Sequence, residues 1–216
     1  AKRDIGFVSE DMRLHEATTL AWHLKFMAAI YPGWDAAYAT ALLDRFTLHA
    51  DQTIKELSHG ERMKAVLLLA LARRPRLLLL DEPTTGLDPV ARHEILTELM
   101  DVVRDERRAI LFSSHNTQDV EQISDVITFI DRGHIIDSSD TGTFLDRWRR
   151  LHLDVPPGVA LPAIPGVVET NASGRLVVAT TSAYTPGPLG PQSIEAIYER
   201  AGARVCDVQR MTLEEI

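Results

Sequence analysis

Short apolar runs alternate along this chain with longer stretches in which apolar residues recur at helical spacing. Ile5-Gly-Phe-Val8, Leu77 to Leu80 and Ala109 to Phe112 are the short runs. Each is too brief for a helix and is bounded by polar residues or proline, so each predicts a buried strand. A run as apolar as Ile5 to Val8 is expected to have neighbouring strands on both sides. Between the runs, Leu20, Leu24, Met27 and Ala28 predict a helix over Thr18 to Ile30, with Thr18 or Thr19 as its cap. Tyr31-Pro-Gly-Trp34 ends that helix, and Asp35 caps a second to about Phe46.

Ser58 caps a helix through Arg73 that is apolar almost all round, the pattern of a helix buried in a core. Pro89 starts a helix to about Glu106, and Asn116 caps another. Val126 to Ile130 and His134 to Ile136 flank Asp131-Arg-Gly133 as a hairpin. Strand alternating with helix in this rhythm predicts an α/β layer with a parallel sheet.

From about Leu151 the texture changes. Pro156-Pro-Gly, Pro165-Gly and Pro186-Gly-Pro-Leu-Gly-Pro191 punctuate short valine-rich runs. Val167 to Thr170 and Arg175 to Ala179 flank Asn171-Ala-Ser-Gly174, a hairpin, followed by a helix over Gln192 to Ala201 and a strand over Arg204 to Val208. The expected organisation is a domain over 1–150, with a helical subdomain at about 11–56, and a small α+β appendage over 151–216.

Composition narrows the function classes. The chain has 216 residues and a formal net charge of −8. That balance argues against a nucleic-acid binder, which needs clustered Lys and Arg to neutralise phosphates. Arg147, Arg149 and Arg150 do crowd together around Trp148, and read as a solvated helix end. Cys206 is the only cysteine, so no internal disulfide forms, which fits a reducing cytoplasm. The longest purely apolar run, Ala65 to Ala72, is far short of the roughly 20 residues of a membrane span. No signal peptide is visible. The chain opens Ala-Lys-Arg-Asp, without an initiator Met or a lead-in to its first apolar run, and is expected to be the later part of a longer domain.

Two groups of residues carry chemistry. Ser58 and Gly60 stand where a helix begins. Such a helix end presents unpaired N–H groups and partial positive charge to an anion, and Gly60 lets backbone approach closely. Alone, Ser58 reads as a cap and nothing more. Its setting changes the weight: Leu77 to Leu80 ends on two adjacent carboxylates, Asp81 and Glu82, followed by Pro-Thr-Thr-Gly-Leu-Asp88. The carboxyl end of a strand is where open α/β sheets place their ligands. Asp81 suits Mg²⁺ held through water, and Glu82 suits orienting or deprotonating an attacking water. His115 follows the next strand, and the sheet is expected to bring it beside Glu82, placed to hydrogen-bond a γ-phosphate.

At this order and spacing the motifs resemble an ABC (ATP-binding cassette) transporter nucleotide-binding subunit from the Q-loop onward, over about residues 4–150. Leu57-Ser-His-Gly-Glu61 is similar to the Leu-Ser-Gly-Gly-Gln signature, with Ser58 and Gly60 matching and His59 and Glu61 departing. Asp81 and Glu82 resemble Walker B and the general base, Thr85-Gly-Leu-Asp88 the D-loop, and His115 the switch histidine. Glu10 falls where the family has the Q-loop Gln; it keeps an oxygen ligand for the metal but adds charge.

No Gly-x-x-x-x-Gly-Lys-Ser/Thr occurs in the sequence, so the phosphate-cradling loop of the family is not among these residues. The resemblance implies a P-loop NTPase-like parallel sheet, incomplete at its N-terminus, with a helical subdomain. It implies ATP and Mg²⁺ as cofactors, with Ser58, Gly60, Glu61 and Asp88 on the nucleotide and Asp81 and Glu10 on the metal. It implies two partners: a second ATPase subunit, identical or different, and a transmembrane permease. The family seats the segment from about Met12 to Ile54 on that permease, so Trp22, Phe26, Tyr31 and Trp34 are either a docking face or internal packing. The expected location is cytoplasmic, on the inner face of the cell membrane. Tyr31-Pro-Gly-Trp-Asp35 and the tail Met211 to Ile216 resemble export-type subunits. A soluble ABC protein of DNA or ribosomes is disfavoured because neither long heptads nor a second cassette is present. A non-hydrolysing scaffold is disfavoured because Glu82 and His115 are intact.

Overall fold

The computed structural model describes residues 4–185, 190 and 192–216. The opening tripeptide and most of the proline-rich stretch at 186–191 lie outside the described residues. The chain divides into two compact units, Ala1–Ile123 and Ser124–Ile216.

The first unit is an α/β layer built on a parallel sheet of β1 (Ile5–Ser9), β2 (Leu77–Asp81) and β3 (Ala109–Ser113), in that spatial order. The register aligns Ser9, Asp81 and Ser113 in one row at the carboxyl ends. Parallel strands need long crossovers. Between β1 and β2 run α1 (Leu20–Ile30), α2 (Ala36–Arg45) and α3 (His59–Leu71); between β2 and β3 runs α4 (Pro89–Val103). After β3 comes α5 (Thr117–Ile123).

The caps follow the local sequence. Thr19 Oγ1 accepts the Trp22 N–H at 3.2 Å, and Asp35 Oδ1 accepts the Tyr38 N–H at 2.9 Å. Every residue of α3 from Met63 to Leu71 is buried, as its all-round apolarity predicts. The one polar insertion, Lys64, pairs with Glu94 of α4 at 2.7 Å.

Strand alternation splits the sheet into two unlike faces. Val8, Leu78 and Leu80 are buried in one cluster with α3 and with Ile95, Leu99 and Val102 of α4. On the opposite face Phe7 is 50% and Leu111 67% exposed. Among the described residues β1 pairs with β2 alone, and its Val8 faces the α3 side while Phe7 stands on the open face.

The second unit opens with the hairpin β4 (Val126–Asp131) and β5 (His134–Asp140), turning at Arg132 and Gly133, both at positive φ. Next come α6 (Thr141–Arg147) and a four-stranded antiparallel sheet. Its strands are β6 (Arg149–Asp154), β7 (Val167–Ser173), β8 (Leu176–Thr181) and β9 (Arg204–Arg210), in the order β7-β8-β6-β9. Leu151, Leu153, Val177 and Ala179 form its core with Ile194 and Tyr198 of α7 (Ile194–Arg200).

The division at Ile123 falls earlier than the change of texture at Leu151. Among the described residues β4 pairs with β5 and not with the β1–β3 sheet, and hairpin and α6 fall within the second unit. The arginine cluster is neutralised from within: Arg147 pairs with Asp137, Arg149 with Asp146 and Arg150 with Glu215. Arg149 and Arg150 stand on β6, not on a helix end.

Candidate functional site

β2 delivers Asp81 to the end of the central strand, where Ser113 Oγ donates to its Oδ1 at 2.6 Å. The next residue, Glu82, leaves the strand at φ 50°, a left-handed conformation that a non-glycine residue adopts only under local constraint. The constraint is visible: the Glu82 N–H donates to the Ser113 carbonyl at 3.1 Å, which turns the chain across β3.

The Glu82 carboxylate is thereby placed against the segment that follows β3. Oε1 accepts the His115 N–H at 2.9 Å; Oε2 meets His115 Nδ1 at 2.9 Å and accepts the Thr85 hydroxyl at 2.8 Å. A carboxylate only accepts, so Nδ1 carries the proton. In the neutral ring, Nε2 is left with its lone pair. A hydrogen bond given by this ring to phosphate therefore needs a doubly protonated imidazole, or one that has released Glu82. The His115 side chain is 73% exposed and that of Glu82 29%, so the pair opens to solvent from a half-buried base.

The turn after Glu82 reaches α4 through Gly86, at φ 68°, and Asp88. Asp88 Oδ1 caps α4 by accepting the N–H groups of Val90 and Ala91 at 2.9 and 3.0 Å. The start of α3 is closed by a capping box: Ser58 Oγ accepts the Glu61 N–H at 3.2 Å, and Glu61 Oε2 accepts the Ser58 N–H at 2.8 Å. Ser58 is exposed, and its hydroxyl oxygen accepts within the box. The two helix starts are in close contact. A Cβ at Gly60 meets that of Ala91 at 3.0 Å, and His59 Nε2 reaches the Thr85 carbonyl at 3.2 Å.

These caps make the site's scaffold acid-sensitive. The Ser58 N–H and hydroxyl hold the Glu61 carboxyl below its usual range, and the Ala91 N–H does the same for Asp88. A folded-state value below the unfolded one means stabilisation present above the ordinary carboxylate range, about pH 4, and lost as pH falls through the depressed value. Thermal stability is expected to drop between about pH 5 and 3. E61Q should make the drop shallower; an E61Q profile identical to the parent's would contradict the linkage.

Glu10 follows β1, and its N–H donates to the Asp81 carbonyl at 3.2 Å, so its exposed side chain starts next to the end of β2. Glu10 and His59, with Arg13, Met63 and Val66, line a cavity of about 260 Å³. Among the described residues no three His, Cys, Asp or Glu side chains gather as a metal cage.

One network escapes a reading of the sequence. Asp119 of α5 is 1% exposed and accepts the Thr84 hydroxyl at 2.6 Å and the Arg92 guanidinium at 2.6 Å. Arg92 also donates to Asn116 Oδ1 at 2.7 Å, the oxygen that caps α5 through the N–H groups of Gln118 and Asp119. This ties the turn after Glu82 to the segment carrying His115. No local pattern announces it, because its members come from two helices and a turn.

Residues 46–118 match a family model described as "AAA domain, putative AbiEii toxin, Type IV TA system". The chain is 29% identical over 152 residues to the ABC transporter ATP-binding protein YtrB of Bacillus subtilis, covering 70% of this chain and 52% of that protein. It is 38% identical over 152 residues to the thiamine import ATP-binding protein ThiQ of Rhizobium meliloti, covering 68% and 64%. A solved structure of the ATP-binding subunit of an ABC transporter superposes with a TM-score of 0.57 at 26% identity, covering 66% of this chain and 61% of that one. In sequence and in fold the chain is similar to ABC-transporter ATP-binding subunits. It spans about half the length of the YtrB relative and under two thirds of ThiQ. In this chain Asp81, Glu82 and His115 stand together at one sheet edge, and the Ser58 helix start is open to solvent.

Proposed function

We propose that this chain carries the hydrolytic half of an ABC transporter's ATP-binding subunit, acting on nucleotide held at an interface with a second such subunit. The observation that carries the reading is the Glu82–His115 pair at the carboxyl end of the central strand, one residue from Asp81. Glu82 takes the proton of the attacking water, and His115 holds Glu82 in place and faces the γ-phosphate. Asp81 and Glu10 hold Mg²⁺, whose charge neutralises the phosphates when it is bound. Ser58 and Gly60 meet the γ-phosphate of nucleotide on the partner subunit, with Glu61 and Asp88 shaping the two helix starts behind them.

The open face bearing Phe7 and Leu111 supports a further part of this reading: a segment outside these 216 residues covers that face and supplies the phosphate cradle. By calorimetry, the 216-residue chain alone is expected to bind ATP weakly or not at all. Leu111→Asp should shift its stability by no more than about 0.5 kcal/mol, as for a surface change. Tight ATP binding by this chain, or a large cost at Leu111, would overturn the reading.

The partner that couples hydrolysis to transport is a membrane permease seated on the helical segment. Trp22 and Phe26 of α1 are 45% and 48% exposed and stack at 5.2 Å. Trp34 packs inward against the core, and Tyr31 lies under Arg73 at 3.9 Å, so of the four aromatics only the α1 pair suits docking. No helix of the described residues is long and apolar enough to cross a membrane, in keeping with a peripheral subunit on the inner face. Export is the proposed direction, on the resemblance of residues 31–35 and 211–216 to export-type subunits. ThiQ is named for import, so the direction is tested by substrate flux in inside-out vesicles.

A further inference from the structure

One of the two signature positions that depart from the family, His59, is built into the site by contacts a glycine there does not make. Its Nε2 lies 3.2 Å from the Thr85 carbonyl, and a carbonyl only accepts, so Nε2 carries the proton and donates. The Thr85 hydroxyl in turn donates to Glu82 Oε2 at 2.8 Å, and the same carboxylate is held by the N–H and Nδ1 of His115. An unbroken path of hydrogen bonds and one residue's backbone thus runs from the third residue of the signature to the general base.

Packing keeps this path short. A Cβ at Gly86 stands 3.4 Å from His59 Nε2, so the turn residue is small where the imidazole lies over it. At Gly60, one residue on, a Cβ stands 3.0 Å from the Ala91 Cβ and 3.6 Å from Asp88 Oδ2. The start of α3 thus packs directly against the turn into α4.

We infer that His59 is a positioning residue for Glu82: it fastens the Thr85 turn to the start of α3, so that nucleotide engaged at Ser58 also sets the orientation of the base in the chain's own site. This rests on the ATPase reading above. It goes further in assigning the departing histidine a task within the subunit, where contact with nucleotide across the interface is the alternative.

The test uses the protein extended to include its phosphate-cradling segment, with steady-state ATP hydrolysis measured for the parent, H59A, H59Q and E82Q. Losing one orienting hydrogen bond corresponds to about a 3- to 10-fold fall in kcat for H59A, with KM for ATP unchanged. In H59Q the amide can still donate to Thr85, and most of kcat is expected to return. The inference is overturned if H59A raises KM and leaves kcat alone, because His59 then serves the nucleotide directly. It is equally overturned if H59A matches the parent, or if H59Q is as slow as H59A. E82Q separates the two readings: a parent that hydrolyses ATP, an inactive E82Q and a fully active H59A would remove the role of His59 alone. A parent without ATPase activity would remove both.

Discussion

Replacing Glu82 with Gln is expected to slow ATP turnover by about 10²- to 10⁴-fold, the usual worth of a positioned general base. That is about 3 to 5 kcal/mol of barrier. The amide fills the same half-buried space and can still accept the His115 N–H that now reaches Oε1 at 2.9 Å. What it loses is basicity, together with the second acceptor that meets His115 Nδ1 and the Thr85 hydroxyl at Oε2. Because Ser58, Gly60 and Asp81 are untouched, nucleotide affinity should stay near the parent's, and the variant should accumulate bound, uncleaved ATP. The measurement is steady-state turnover beside a filter-retention assay of bound nucleotide, in the protein extended over its open sheet face. An E82Q variant within tenfold of the parent would remove Glu82 from the chemistry, however well its geometry suits the task.

The legible parts of this site are those fixed by short-range rules. Four consecutive leucines followed by Asp81 mark a central strand and its carboxyl end. Once the neighbouring strand is recognised, parallel pairing brings Asp81 level with Ser113, and His115 follows two residues later. Glu82 and His115 therefore meet because strand ends align, and the left-handed turn at Glu82 completes the approach. Ser58 was legible as a helix cap for the same reason, and Glu61, three residues on, completes with it a capping box that the structure shows.

Contacts set by the packing of separate elements were not legible. Which aromatics of the helical segment face outward depends on how α1 and α2 lie on α3, and the sequence left that open. Trp34 turned inward while Trp22 and Phe26 stayed at the surface. Strand β6 was missed although Arg150-Leu-His-Leu-Asp154 alternates polar and apolar residues, because the preceding arginines read as a helix end. The break between compact units at Ile123 has a related cause. A hairpin that pairs only with itself carries no local sign of the unit to which it belongs.

The second large effect expected is on stability. Arg92→Ala should destabilise the first unit by about 3 kcal/mol, because it leaves the Asp119 carboxylate buried without its guanidinium. The figure sits at the low end for a broken buried pair, since the Arg92 side chain is 27% exposed and Thr84 still donates to Asp119. Asp119→Asn should cost less, because it removes the charge itself and leaves a partly exposed guanidinium that water can reach. If the two residues act as one pair, the double variant should cost less than the two single costs combined. Urea unfolding followed by circular dichroism gives all three values. The same variants report on function: Arg92 also holds the Asn116 oxygen that caps the helix after His115, so R92A should disturb the Glu82–His115 contact as well as the fold. If R92A were as stable as the parent, the buried Asp119 would have to be neutral or solvated. Its network would then no longer explain how the turn after Glu82 and the His115 segment keep their distance.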